Sequence, residues 1–152
     1  SGLKLAANVA AMLVAFVSLV AMINYLLGFA GTSMESILGF IFKPLAWTMG
    51  VPWSEAGTLG TLMGKKIVFT ELIAYGDLKE LMSTGAITDR TAIIASYALC
   101  GFANFGSIGI QLGGIGGMAP ERKKDLAKLV TKAMVGGALA SWLTATIAGL
   151  LI

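Results

Sequence analysis

Ser96-Tyr-Ala-Leu-Cys-Gly-Phe-Ala-Asn-Phe-Gly-Ser-Ile-Gly-Ile-Gln-Leu-Gly-Gly-Ile-Gly-Gly117 is the stretch whose reading decides the fold. It is apolar enough for a membrane helix, yet it carries Cys100, Asn104, Ser107 and Gln111, with seven glycines among residues 101 to 117. Asn104, Ser107 and Gln111 are spaced i, i+3 and i+7, which on one continuous helix makes a single polar stripe. Glycine holds a helix interior poorly, so this density predicts a backbone that unwinds, packs very closely or is approached by a ligand. Irregular backbone at membrane depth is tolerated only where protein or a watery cavity surrounds it, and interrupted helices are a favoured place for substrate sites in transporters. The stretch therefore predicts a binding site built on a broken membrane helix.

The whole chain agrees with a bilayer setting. Its 152 residues are 57% hydrophobic and only 12% charged, with a mean hydropathy of +0.84, whereas an average soluble domain is about 25% charged. The length allows about four or five full or half spans at about 20 residues per crossing. A net charge of +3 does not point to nucleic acid, because Arg122, Lys123, Lys124, Lys128 and Lys132 form one cluster between apolar segments, as the positive-inside rule describes. The absence of histidine and the presence of a lone Cys100 leave no disulfide framework, no zinc site and no histidine-based catalysis. No catalytic residue and no metal ligand set is assigned. The opening Ser-Gly is not a signal peptide and reads as a cloning remnant on a fragment.

Leu5 to Phe29 is long enough to cross a bilayer, with Lys4 at the cytoplasmic end and Asn8 and Asn24 expected in interhelical hydrogen bonds. Thr32-Ser-Met-Glu35 resembles a capping box for a short interfacial helix whose Glu35, Ser36 and Lys43 face water and which Pro44 bends. Pro52 opens a third element that Gly57, Gly60 and Gly64 limit to about 12 residues, or about 18 Å. After a Gly64-Lys-Lys66 break the chain turns apolar again through Tyr75, so two half-length helices form a re-entrant hairpin. Glu71 is the best functional candidate, because a carboxylate at membrane depth costs several kcal/mol unless paired, hydrated or protonated. Pairing with Lys65 or Lys66 is its structural alternative. The last helix carries small-xxx-small pairs at Gly136/Ala140, Gly137/Ser141 and Ala145/Gly149, which favour close packing. Basic bias places 118–132 in the cytoplasm and the hairpin base, 76–90, on the other side.

Lys66-Ile-Val-Phe-Thr-Glu-Leu-Ile-Ala-Tyr75, then Cys100 through Gln111, then Ala119-Pro-Glu-Arg-Lys-Lys-Asp-Leu126, resemble the C-terminal half of a concentrative nucleoside transporter. That resemblance implies an all-α integral membrane fold. Residues 1–30 are then a scaffold transmembrane helix. Residues 31–152 are the second inverted repeat, comprising an interfacial helix (32–48), a re-entrant hairpin (51–81), a broken helix (91–117) and a terminal transmembrane helix (121–152). It also implies a nucleoside substrate, a homotrimer in the plasma membrane, the N-terminal half as partner, and no cofactor. The coupling sodium or proton belongs to that N-terminal half. By the same resemblance Glu71, Asn104 and Ser107 contact ribose and Phe102 lies beside the nucleobase. Thr70 stands where the family usually has asparagine, Leu72 where phenylalanine is common and Gly106 where serine is frequent. The alternative function is a membrane assembly or gating module that uses the same packing without binding nucleoside. An intramembrane enzyme is disfavoured, since Glu71 lacks a catalytic partner.

Overall fold

The computed structural model describes residues 2–152, in seven helices and one 3-10 turn. Helix α1, Gly2–Gly28, rises about 40 Å at 1.5 Å per residue, which exceeds the hydrocarbon thickness of a bilayer. Among the described residues, it and the segment Pro120–Leu151 are the two stretches long and apolar enough to cross a membrane. Val20 is the one buried residue of α1, so most of its apolar surface is left for lipid or for other protein.

Asn24, near the end of α1, ties it to the next element: its side chain donates to Glu35 Oε2 and accepts from the Met34 backbone N–H, both at 2.9 Å. This is the expected interhelical role for Asn24. It also moves the helix start. Ser33, not Thr32, caps α2 (Met34–Thr48), accepting from Ser36 N, because Glu35 is drawn towards Asn24 instead of back to the cap. Glu35 and Lys43 are half-buried and only Ser36 faces out; the Lys43 ammonium lies 4.5 Å from the centre of the Trp53 ring, a cation–π placement.

Helix α3 runs unbroken from Trp53 to Val68, so the glycines do not end it at about 12 residues. Gly60 and Gly64 instead face α2 at backbone contact: a Cβ on either would lie 2.5 Å from a carbonyl oxygen, that of Gly39 or Glu35. The helical cost of glycine is offset by that close crossing. The hairpin break falls later, at Phe69–Thr70, where Thr70 is extended (φ −149°, ψ 159°) before α4, Glu71–Ser83. The Gly-Lys-Lys step is helical because both lysines are satisfied there, Lys65 by Asp77 of the opposite arm and Lys66 by interior acceptors. The hairpin thus spans 51–83, two residues beyond the expected end.

Helix α5, Asp89–Leu99, is capped by Thr88, and after a break the chain continues as α6, Phe105–Met118. The 3-10 turn Pro120–Arg122 leads into α7, Lys123–Leu151. The glycines of α6 bring it against α1: a Cβ at Gly109 would meet the Phe16 ring at 2.7 Å, and one at Gly113 would lie 3.3 Å from Asn8 O. Asn8 sits at the α1–α6 crossing, beside Gly117, but its side chain is exposed and, among the described residues, does not make the interhelical hydrogen bond expected of it. Leu59 and Met63 of α3, Ile94 and Leu99 of α5 and Ala145 of α7 are fully enclosed in the common core. Of the small-residue pairs on α7, Ala145/Gly149 is buried and Gly137/Ser141 packs beside Ala103, while Gly136/Ala140 is exposed. Arg90 fastens the open end: its guanidinium donates to Gly50 O at 3.0 Å, to Gly149 O at 2.7 Å and to Ile152 O.

Candidate functional site

Two backbone breaks meet across a part-buried contact. One is Phe69–Thr70 at the turn of the hairpin; the other is Cys100–Asn104 between α5 and α6. Each is followed by a helix N-terminus, where free N–H groups and the positive end of the dipole favour acceptors and anions. Glu71 is the first residue of α4 and Asn104 is the N-cap of α6, so both candidate polar residues stand at such an end.

Asn104 is fully buried and extended (φ −144°, ψ 170°). Because it lies outside the helix, the polar stripe expected from Asn104, Ser107 and Gln111 does not form on one continuous helix. The i, i+3 spacing instead makes a capping box. Asn104 Oδ1 accepts from Ser107 N at 2.7 Å, and Ser107 Oγ accepts from Asn104 N at 3.2 Å and donates to Asn104 O at 2.6 Å. With its carbonyl oxygen engaged, the Asn104 amide turns its NH₂ outward and donates to Glu71 Oε2 at 3.2 Å. Residues 33 apart in sequence are thereby joined across the two breaks.

The structure therefore brings Glu71 and Asn104 into direct contact, and Ser107, only 1% exposed, stands behind Asn104 with its hydroxyl proton committed to the backbone. Phe102 projects from the second break and is 54% exposed. Neither lysine forms an ion pair with Glu71: Lys65 pairs with Asp77, and Lys66 donates to Ala98 O and Ser141 Oγ. Gly106 fits its place because a Cβ there would approach Leu13 Cδ1 at 3.0 Å and Asn104 Oδ1 at 3.2 Å. A side chain at 106 would crowd both α1 and the capping box. Tyr75 braces the hairpin against the broken helix, donating to Ser96 O at 2.7 Å.

What sequence reasoning missed is the support: Arg90, Tyr75 and Lys66 each reach backbone carbonyls far away in the chain, and no spacing rule announces such contacts. For Lys66 a signal existed, a lysine flanked by apolar residues in a membrane hairpin. Among the described residues no group of three or more metal-ligating side chains comes together. Chemically, the meeting point offers a carboxylate with one oxygen in contact with an amide, and an amide held rigidly from behind. That combination suits neighbouring hydroxyl groups, which donate to the carboxylate and accept from the amide.

Residues 1–149 match the family described as Na+ dependent nucleoside transporter, C-terminus. The chain belongs to this family. Relatives of these nucleoside transporter C-termini include the uncharacterized transporter YutK of Bacillus subtilis, 48% identical over all of this chain and 39% of that protein. The nucleoside permease NupC of Helicobacter pylori is 41% identical, again over 100% of the chain and 39% of the relative. A solved structure of a CNTnw variant in an outward-facing state superposes with a TM-score of 0.91 at 46% identity, over 97% of this chain and 39% of that one. The chain thus spans about two fifths of the length of these relatives.

Proposed function

We propose that this chain is the second repeat and preceding scaffold helix of a cation-coupled concentrative nucleoside transporter, and that it supplies the sugar-facing half of the nucleoside site. The observation that carries the reading is the Asn104–Glu71 hydrogen bond across two helix breaks. A ribose bearing two adjacent hydroxyls replaces that contact with two: one hydroxyl donates to Glu71, and the other accepts from Asn104. Ser107 contributes by fixing the amide, and Phe102 offers its ring to the base. The coupling ion, sodium or proton, is held in the N-terminal half of the full carrier, which also closes the site. Alternating access then moves the hairpin and broken helix relative to α1. A homotrimer in the plasma membrane, with α1 near its centre, covers the apolar surface that α1 leaves open in this chain.

Uptake of labelled uridine by the full-length carrier in vesicles, driven by a cation gradient, tests this function. Uridine is expected to compete for that uptake better than its 2′- or 3′-deoxy analogues. No gradient-driven nucleoside uptake would leave the membrane assembly reading standing.

The orientation has its own expected outcome. Cysteines placed at Lys79, at the open end of the hairpin, and at Lys124, in the basic first turn of α7, are expected to react from opposite sides of the membrane. Same-side labelling would overturn the re-entrant arrangement.

A further inference from the structure

Lys66 is the largest side chain that the fold encloses completely. An ammonium in a membrane interior is costly unless something compensates it, and among the described residues it forms no ion pair; the ion pairs belong to Lys65 with Asp77 and Arg122 with Asp125. Its compensation is of another kind. Nζ donates to Ala98 O at 3.0 Å and to Ser141 Oγ at 2.9 Å. Ala98 lies in the last turn of α5, where carbonyls lack intrahelical partners and the helix dipole is negative. Ser141 completes itself by donating to Ala138 O at 2.9 Å, so α7 presents a fixed acceptor. The chain then leaves α5 directly over the ammonium: a Cβ on Gly101, which has φ +132°, would lie 3.8 Å from Nζ.

Lys66 is three residues before Phe69, where the hairpin breaks, and five before Glu71; Ala98 is six residues before Asn104. One side chain thus holds both breaks to a common reference on α7. We propose that Lys66 is a positioning residue: an internal cation that pins the break between α5 and α6 to the hairpin arm, so that Asn104 is delivered to Glu71. A hydrophobic side chain of similar length fills the space, yet it leaves the α5 carbonyl without a donor and frees the Cys100–Asn104 segment to move. The pin stands on the geometry alone; only its consequence for transport rests on the proposed nucleoside function.

Cys100 lies in that segment and is exposed, which makes it a built-in reporter. In the full-length carrier with any other cysteines replaced, the rate of Cys100 modification by a thiosulfonate reagent is compared with the KM and Vmax of uridine uptake. Lys66→Met is expected to speed modification by about fivefold or more and to raise KM by about tenfold, with Vmax per folded carrier nearly unchanged. Ser141→Ala, which leaves Lys66 one acceptor, is expected to shift both in the same direction by about twofold to threefold. A lysine that served packing alone would lower the yield of folded carrier and leave both readouts where they were. Unchanged Cys100 reactivity in folded Lys66→Met overturns the proposal, and if that variant does not fold, unchanged reactivity in Ser141→Ala does so. Faster modification with an unaltered uridine KM retains the pin and overturns the nucleoside assignment of the half-site instead.

Discussion

Glu71→Gln in the full-length carrier is expected to weaken ribonucleoside binding by about 5- to 150-fold, the range that corresponds to about 1–3 kcal/mol for a lost hydrogen bond to a charged acceptor. The substitution keeps the shape of the side chain and removes its charge. It also disturbs the contact with Asn104 Nδ2, since a glutamine turned to present its own NH₂ faces a second donor. Two consequences separate a substrate-binding Glu71 from a merely structural one. The deoxy analogue missing the hydroxyl that Glu71 receives loses less than uridine does, because the variant no longer rewards that group. Losses from Glu71→Gln and Asn104→Ala are also less than additive, since the two side chains touch and share one sugar. Competition between uridine and its 2′- and 3′-deoxy analogues measures both effects. An unchanged ribose-to-deoxyribose ratio in both variants would return Glu71 and Asn104 to a structural role.

Gly60→Ala is expected to be among the most damaging single methyls in the chain, together with Gly64→Ala and Gly149→Ala, whose Cβ atoms would lie 2.5 Å and 2.0 Å from backbone oxygens. A Cβ at residue 60 would stand 2.5 Å from Gly39 O and 3.0 Å from Lys43 N, and these atoms are backbone of α2, unable to rotate away. Helices α2 and α3 must therefore separate along their whole crossing, with a loss of about 3 kcal/mol or more. Gly57→Ala on the same helix is the internal control, because its Cβ would meet only the flexible Lys43 stem at 3.7 Å. There the better helix propensity of alanine is expected to leave stability unchanged or raise it by about 0.5–1 kcal/mol. Thermal unfolding of the purified carrier, followed by the loss of a monodisperse peak, compares the two. Equal melting temperatures for both variants would mean that α2 and α3 do not cross at backbone contact.

The sequence by itself determined the features that composition and local rules control. Apolar length marks α1 and α7 as spans, and Pro52 with the charged turn at Asp77 to Arg90 marks a short hairpin. Glu71 and Asn104 stand out as polar residues in apolar runs, because desolvation makes such placements expensive enough to need a reason. Tertiary structure decided where the helices stop. Glycine weakens a helix by local entropy, so Gly57, Gly60 and Gly64 read as an ending; burial against α2 reverses that sign, and α3 continues to Val68. The seven glycines after Cys100 divide in the same way. Gly101 takes the positive φ that the break requires, while Gly106, Gly109 and Gly113 stay helical because α1 approaches them. An i, i+3 pair such as Asn104 and Ser107 reads equally as a helix face or as a cap, and only the placement of the break chooses the cap. Lys66 shows the limit most clearly: its acceptors are 32 and 75 residues away. Local sequence reports the cost of burying a charge, but the group that offsets it is supplied by whatever the fold brings within hydrogen-bonding distance, about 3 Å.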